Sequence, residues 1–343
     1  MLQQFLKIIL GRNSSEPPSL DQVLEYTDKQ LEKFRTLIQP APESKPRTSF
    51  NAHLPKDQIS MLNFTPRQRL KVLTKAVPLI LNMQRGSRMI GRQTYPSTGA
   101  ASPEFIRNLE TLAREAGVKD LRYIKVPPNA IFRDKGIPYP YAIIYTVEMD
   151  KEPIDTSPSF ESQHEVMRGY MNLAIIANKM AAFIQKQGFA AYPGTALGGV
   201  TDYVHLGELA GLGAIGYHGL LITPGEGARL RIGTIYTNIS NLPIQTTNEH
   251  LWVRDFCASC KKCVRKCPVK AIYDQPKPRG DGGMQCIDHA TCRTFFTQQY
   301  GCAVCLAICP FSQVGYETVK ARFKGNPHAP QFHIPVESIP TLS

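Results

Sequence analysis

The sequence predicts an α/β (α+β) domain followed by a cysteine-rich domain, and three observations carry that division. Helical and strand patterns alternate between Ser102 and Thr237. All nine cysteines of the 343-residue chain fall between Cys257 and Cys309. A run crowded with glycine, Ala196 to Asn238, leads from one stretch toward the other. The expected boundaries are 1–100 for an N-terminal helical adaptor, 101–250 for the α/β domain, 251–318 for the cysteine domain and 319–343 for a C-terminal tail. At 42% hydrophobic residues the chain has apolar material for one or two cores.

In the adaptor region one helix is expected from Leu20 to Leu37, followed by a Pro-rich link, Gln39 to Pro46. A second runs from Thr65 to about Met83, with Pro66 at its first helical position, and ends in a Gly/Ser/Thr loop. Ser102 caps the next helix, Phe105, Ile106, Leu109 and Leu112 mark its face, and Gly117 closes it. Leu121 to Val126 alternates as a strand, and Tyr141 to Val147 reads as a more buried one. Gln163 to Lys186 is a long helix, apolar around much of its girth and therefore packed on more than one side. Asp202 to Leu209 reads as helical, and Leu220 to Thr223 and Leu230 to Thr237 read as strands.

Gly211-Leu-Gly213-Ala-Ile-Gly216 is formally G-x-G-x-x-G, but a dinucleotide fingerprint needs a strand before it, a helix after it and an acidic residue for the ribose. Here the order is reversed. The glycines suggest instead main chain passing close to something large and flat, because a missing Cβ permits close approach.

The cysteines are the most specific signal. Cys257-x2-Cys260-x2-Cys263-x3-Cys267-Pro268 is the run with which two-cluster bacterial ferredoxins bind [4Fe–4S] clusters, its fourth cysteine serving the other cluster. Cys302-x2-Cys305-x3-Cys309-Pro310 supplies the second run. Two clusters are expected, one on Cys257, Cys260, Cys263 and Cys309, the other on Cys267, Cys302, Cys305 and one more thiolate. Cys292 is preferred to Cys286 for that place, leaving Cys286 spare. A disulfide framework belongs to short secreted chains, and zinc ribbons do not twice end their runs in Pro.

Free thiols and clusters imply a reducing compartment, and the localisation expected is cytoplasmic. No segment approaches the roughly 18 apolar residues of a membrane span, and Met1 to Leu10 is apolar but lacks an export signature. The formal charge is +12, of which half lies in residues 251–343, where 12 Lys+Arg face 6 Asp+Glu. That excess suits compensation of cluster thiolates or a face for an electron donor. No basic run interleaved with aromatics points to nucleic acid.

The succession Ala210-Gly-Leu-Gly-Ala-Ile-Gly216, Leu221-Ile-Thr-Pro-Gly-Glu-Gly-Ala-Arg-Leu-Arg231 and Tyr236-Thr-Asn-Ile-Ser-Asn-Leu-Pro-Ile244, leading into the double cysteine motif and Cys309-Pro-Phe-Ser312, resembles the reductive dehalogenases. It is less closely similar to epoxyqueuosine reductase. The resemblance covers residues 160–315. It implies a corrinoid (cobalamin) held base-off in a nitroreductase-like domain beside a bacterial-ferredoxin-like domain whose clusters relay electrons to cobalt. The residues it implies for the corrinoid are Gly211, Gly213, Gly216, Ile222, Thr223, Pro224 and Arg231. Tyr170 stands at the position of the proton donor, with Arg229 the expected cationic neighbour and Arg231 second. A guanidinium that stabilises a phenolate makes a phenol a usable acid.

The departures are a missing twin-Arg signal, no D-x-H-x-x-G corrinoid motif, and an Asp202-Tyr203-x-His205 context that does not match the proton donor of epoxyqueuosine reductase. The implied function is a corrinoid-dependent iron–sulfur oxidoreductase that dehalogenates a small organic molecule, fed by an external donor such as ferredoxin or flavodoxin. Two alternatives stand beside it: a tRNA-modifying reductase resembling epoxyqueuosine reductase, and an electron carrier without catalysis. The long upstream region argues against the carrier.

Overall fold

The computed structural model describes residues 20–31, 34, 36–49, 54–89, 99–225, 227–323 and 325. Strands form where β-branched and aromatic residues alternate: β1 (Leu121–Lys125), β2 (Tyr141–Glu148), β3 (Ala191–Pro193), the short pair β4 (Ala214–Ile215) and β5 (Leu221–Ile222), and β6 (Leu230–Thr237). Four of them make one sheet in the order β1-β2-β6-β3, antiparallel at every pairing. The core is thus of the α+β kind. Alternation sorts the side chains: Tyr123, Ile143, Tyr145, Val147 and Ile235 point to one apolar layer, Ile124, Ala142, Ile144 and Tyr236 to the other. Gly233 lies opposite Tyr145, where a Cβ would come within 2.3 Å of the Tyr ring.

The first layer is built by α2 (Pro66–Arg88), α3 (Pro103–Glu115) and α5 (Phe160–Lys186); Leu31 of α1 (Leu20–Leu31) and Leu206 of α6 (Tyr203–Leu209) pack in the layer on the other face, and Ile154 of α4 (Lys151–Asp155) joins a third core. Capping boxes start two of these helices, Thr65 with Gln68 and Ser159 with Ser162, so α5 begins about a turn earlier than its apolar pattern implies. Leu79, Ile80 and Met83 of α2 interleave with Leu173, Ile176, Ala177 and Met180 of α5 in one core. Each large aliphatic side chain buried there stabilises the fold by about 1.5–3 kcal/mol. The helix expected in the adaptor region is therefore part of the main core, and it runs on past Met83 to Arg88. α1 ends at Leu31, not Leu37, and Ile38 bridges instead to Ile137 as extended chain. The apolar stretch Met1–Leu10, most of the loop before Gly99 and most of the C-terminal tail lie outside the described residues.

The cysteine half is a chain of short helices: α7 (Trp252–Cys260), α8 (Lys262–Lys266), α9 (His289–Gln298), α10 (Val304–Ala307), α11 (Pro310–Val314) and α12 (Tyr316–Arg322). The hairpin of β7 (Ile272–Pro278) and β8 (Met284–Ile287) was not expected from the sequence. Phe311 packs its ring 5.0 Å from Phe256 and 5.8 Å from Trp252. Val253, Leu306, Phe311 and Tyr316 share a core with Met149, Ala214, Tyr217 and Ile222, so the two halves meet through apolar contact. A buried ion pair, Arg254 Nη2 to Glu208 Oε2 at 2.5 Å, crosses the same junction. Among the described residues no helix is long and apolar enough to cross a membrane.

Candidate functional site

An open cleft with a volume of about 210 Å³ lies where α5, β6, α6 and α10 converge. Its wall includes Tyr170, Tyr203, Leu220, Ala228, Arg231 and Leu306. Strand parity places Arg231 there. It lies opposite Val147 and two residues before Gly233, so it occupies the α5-facing side of the sheet. The guanidinium carbon then sits 4.6 Å from the centre of the Tyr170 ring, a cation over an aromatic face. Gly169 makes that crossing possible, since a Cβ would lie 3.0 Å from Arg231 Cγ and 3.3 Å from Met149 Cγ. A glycine inside a long helix costs about 1 kcal/mol relative to Ala, a signal that sequence reading passed over. Arg231 Nε is buried without a hydrogen-bond partner among the described residues.

Arg229, the expected neighbour of Tyr170, is engaged elsewhere. Its Nη1 donates to Met149 O at 2.7 Å and stands 3.4 Å from Glu148 Oε1, while Nε donates to Ser312 O at 3.3 Å. It ties the end of β2 to α11, and the cation beside Tyr170 is Arg231. The residues expected to hold a flat cofactor also divide. Arg231 lines the cleft; Gly211, Gly213, Gly216, Ile222, Thr223 and Pro224 are not among its lining residues. The space a side chain would take at Gly213 belongs to the chain itself, because a Cβ there would fall 2.1 Å from Ile222 O.

The cysteines assemble in two sets beside the cleft. Burial pushes the Cys257 and Cys263 thiols up, the latter to about 12, and Cys309 and Cys260 push both further. Cys309 is raised to about 11 by burial, with Cys260 adding to it. Burial raises Cys292 to about 11, and Cys267 and Cys302 contribute. Cys302 is raised by burial and then by Cys267, and Cys305 by burial and then by Cys263, Cys302, Cys292 and Cys267. These influences group Cys257, Cys260, Cys263 and Cys309, and likewise Cys267, Cys292, Cys302 and Cys305, while Cys263 acts on Cys305 from one group to the other.

Cys286 stands apart. Burial lifts it to about 12, and Glu208, Arg254 and Arg279 act on it, with no other cysteine. Several sulfurs receive backbone N–H groups, including Ala271 N to Cys267 Sγ at 3.3 Å. Among the described residues no three His, Cys, Asp or Glu side chains stand close enough to hold a single metal ion.

Asp202 caps α6 and is pinned by Lys45 at 2.5 Å and Arg279 at 3.0 Å. Burial alone raises its carboxyl, but these two cations outweigh it and hold Asp202 below the usual carboxylate range. It is an ion-pair node joining the N-terminal segment to the β7–β8 hairpin. His205, one turn on, is buried and kept neutral by that burial despite the carboxylates around it.

No family model matches the chain. It is 32% identical over 224 residues to a tetrachloroethene reductive dehalogenase of Desulfitobacterium hafniense, covering 60% of this chain and 39% of the relative. It is a relative of the reductive dehalogenases. An epoxyqueuosine reductase of Listeria monocytogenes is more distant, 23% identical over 207 residues, 55% of this chain and 52% of that one. The fold likewise follows that of a reductive dehalogenase, the catabolic NpRdhA, with a TM-score of 0.65 at 19% identity over 89% of this chain and 49% of that chain. The chain spans 39% of the length of the reductive dehalogenase it matches by sequence. Those reductive dehalogenases are oxidoreductases.

Proposed function

We propose that this chain is a corrinoid-dependent iron–sulfur reductase whose substrate is a small organic halide. The observation that carries the reading is the Tyr170–Arg231 pair on the wall of a cleft that Leu306, between Cys305 and Cys309, also lines. The relation to reductive dehalogenases supports it.

On this reading the two halves are a nitroreductase-like and a bacterial-ferredoxin-like domain. The two cysteine sets are the donors for two [4Fe–4S] clusters, which supply one-electron relay. A corrinoid, for which Arg231 and the cleft wall around Tyr170 and Leu306 would be the holding residues, would supply the reducing electrons with which the carbon–halogen bond is broken and halide released. The chain supplies the rest. The apolar wall of Leu220, Ala228 and Leu306 excludes water from the substrate. Tyr170 Oη gives its proton to the carbon that loses the halogen, and the Arg231 guanidinium over the ring stabilises the negative charge left behind. Arg231 Nε, buried without a partner, offers a donor toward a ligand in the cleft.

Anaerobic reconstitution with iron, sulfide and cobalamin tests this. About eight irons per chain and retained corrinoid are expected. Tyr170→Phe is expected to lose organohalide reduction by at least about 100-fold, with iron and cobalamin contents unchanged. Protein that takes up iron and sulfide yet retains no cobalamin at any concentration ends the proposal.

A tRNA-modifying reductase is the second reading, favoured by the +12 charge and the epoxyqueuosine reductase relatives. It predicts salt-sensitive tRNA retention. Asp202 does not favour it, since its carboxylate is already shared between two cations.

A further inference from the structure

The stretch Ala258 to Tyr273 threads through the first cysteine motif and holds five Lys or Arg and no Asp or Glu. Lys261 is paired with Asp274 at 2.6 Å. The other four, Lys262, Arg265, Lys266 and Lys270, are exposed, and among the described residues none takes part in an ion pair. They cluster because α8 is a single turn between cysteines: Lys262 opens it, Arg265 and Lys266 close it, and Arg265 Nη2 is held on Cys260 O at 2.8 Å. Lys270 follows at a positive φ of 52°, just after Cys267 and Pro268. Cys260 and Cys267, the sulfurs on either side of this turn, are themselves only partly buried.

Neutralising the thiolates accounts for Lys262 in part, since it acts on the buried Cys309, but not for the placement of Arg265, Lys266 and Lys270. A cation meant for a buried sulfur gains most by turning inward, whereas exposed ammonium groups are hydrated and screened within about 10 Å. What four unpaired cations around partly exposed sulfurs do well is attract and orient an anionic surface. The stretch from Ala258 to Lys270 carries no aromatic side chain, so it lacks the stacking platform single-stranded nucleic acid uses.

We propose that Lys262, Arg265, Lys266 and Lys270 form the docking surface for a small acidic one-electron carrier protein, which delivers electrons to the chain beside Cys260 and Cys267. This rests on the reading of the cysteines as cluster ligands. The step is a bare transfer. One electron leaves the carrier's reduced centre, which is oxidised, and reduces the [4Fe–4S] group held here; no bond changes and no proton moves.

The test uses the full chain, reconstituted anaerobically and assayed for iron before any rate is measured. Photoreduced plant-type ferredoxin, an acidic [2Fe–2S] protein, is mixed with it and bleaching of the cluster absorbance is followed by stopped flow. The bimolecular rate is expected to fall steeply between low salt and 0.5 M salt, and to drop by about tenfold or more in Lys262→Glu/Lys266→Glu/Lys270→Glu. Reduction by methyl viologen radical cation is expected not to slow in that variant. Should the triple variant lose iron, the salt dependence of the unaltered protein and Lys→Gln changes at the same three positions decide the matter. A rate indifferent to salt and to these substitutions, in protein with full iron, overturns the docking surface alone. Protein that takes up no iron overturns it together with the cluster reading. Salt-sensitive RNA retention lost in the same variant, with ferredoxin reduction unchanged, also overturns it and assigns the surface to nucleic acid.

Discussion

Helices α5 and α9 belong to one chain and are held by different forces. α5 spans 27 residues and presses Leu173, Ile176, Ala177, Met180, Ala181 and Ile184 into the core, whereas α9, with 10 residues, places none of its side chains there. Burial of apolar surface defines the first half, as it does in most domains. In the second half the helices are short, and its core sets Cys257, Cys263 and Cys309 among apolar side chains such as Val253, Leu306 and Phe311. The first half is therefore expected to keep its shape under any ligand condition, and the second to draw its order from what its thiols hold.

The largest effect comes from breaking the thiol sets. Cys305→Ala is expected to halve the iron bound after reconstitution and to raise amide exchange in α9 and α10, while exchange in β2 and β6 stays slow. Cys286→Ala is expected to leave the iron unchanged. Loss of iron in the Cys286 variant instead would show that the second set has been drawn wrongly. Next in size is the junction. Glu208 accepts from Ile215 N at 2.8 Å and from Arg254, and all three residues are buried, so Glu208→Ala takes the carboxylate away from a buried guanidinium and a buried N–H. A loss of about 3–5 kcal/mol is expected in urea unfolding of the reconstituted protein. A loss below about 1 kcal/mol would mean that the two halves do not depend on this pair.

The smallest effect is a pH dependence confined to the glycine-rich wall. Burial lowers His218 from 6.5 to about 4, and its Nδ1 accepts from Leu220 N at 3.2 Å. The unfolded chain takes up the proton first as pH falls. Stability is thus complete above pH 6.5 and is lost progressively toward pH 4, by on the order of 3 kcal/mol. His218→Asn is expected to flatten that part of the melting-temperature profile, and an unchanged slope would assign the acid sensitivity to other groups.

What the sequence reveals follows how local each determinant is. Ser102 and Thr65 mark helix starts because a cap is settled within four residues, and the cysteine spacings are legible for the same reason. The pairing of Cys292 rather than Cys286 with the second set could be preferred, but it is the fold that brings Cys286 against Glu208 and Gly219. Arg229 and Arg231 share strand parity, and only the onset of β6 at Leu230 separates them. That onset is a tertiary matter, fixed by pairing with β2. The β7–β8 hairpin was hidden because Pro276 and Pro278 interrupt the alternation that announces a strand. The glycines between Gly211 and Gly216 were legible as close approach but silent about what approaches. Part of the answer is the chain's own carbonyl at Ile222.

Leu306 is buried, forms part of the cleft wall and is flanked in sequence by Cys305 on one side and, three residues on, by Cys309 of the other set. A single aliphatic side chain thus belongs both to the cleft wall and to the segment that carries Cys305 and Cys309. On the proposed function, reshaping the cavity at this point to admit a bulkier compound would also alter how far charge must travel to reach it, and selectivity and speed would not be adjusted independently there.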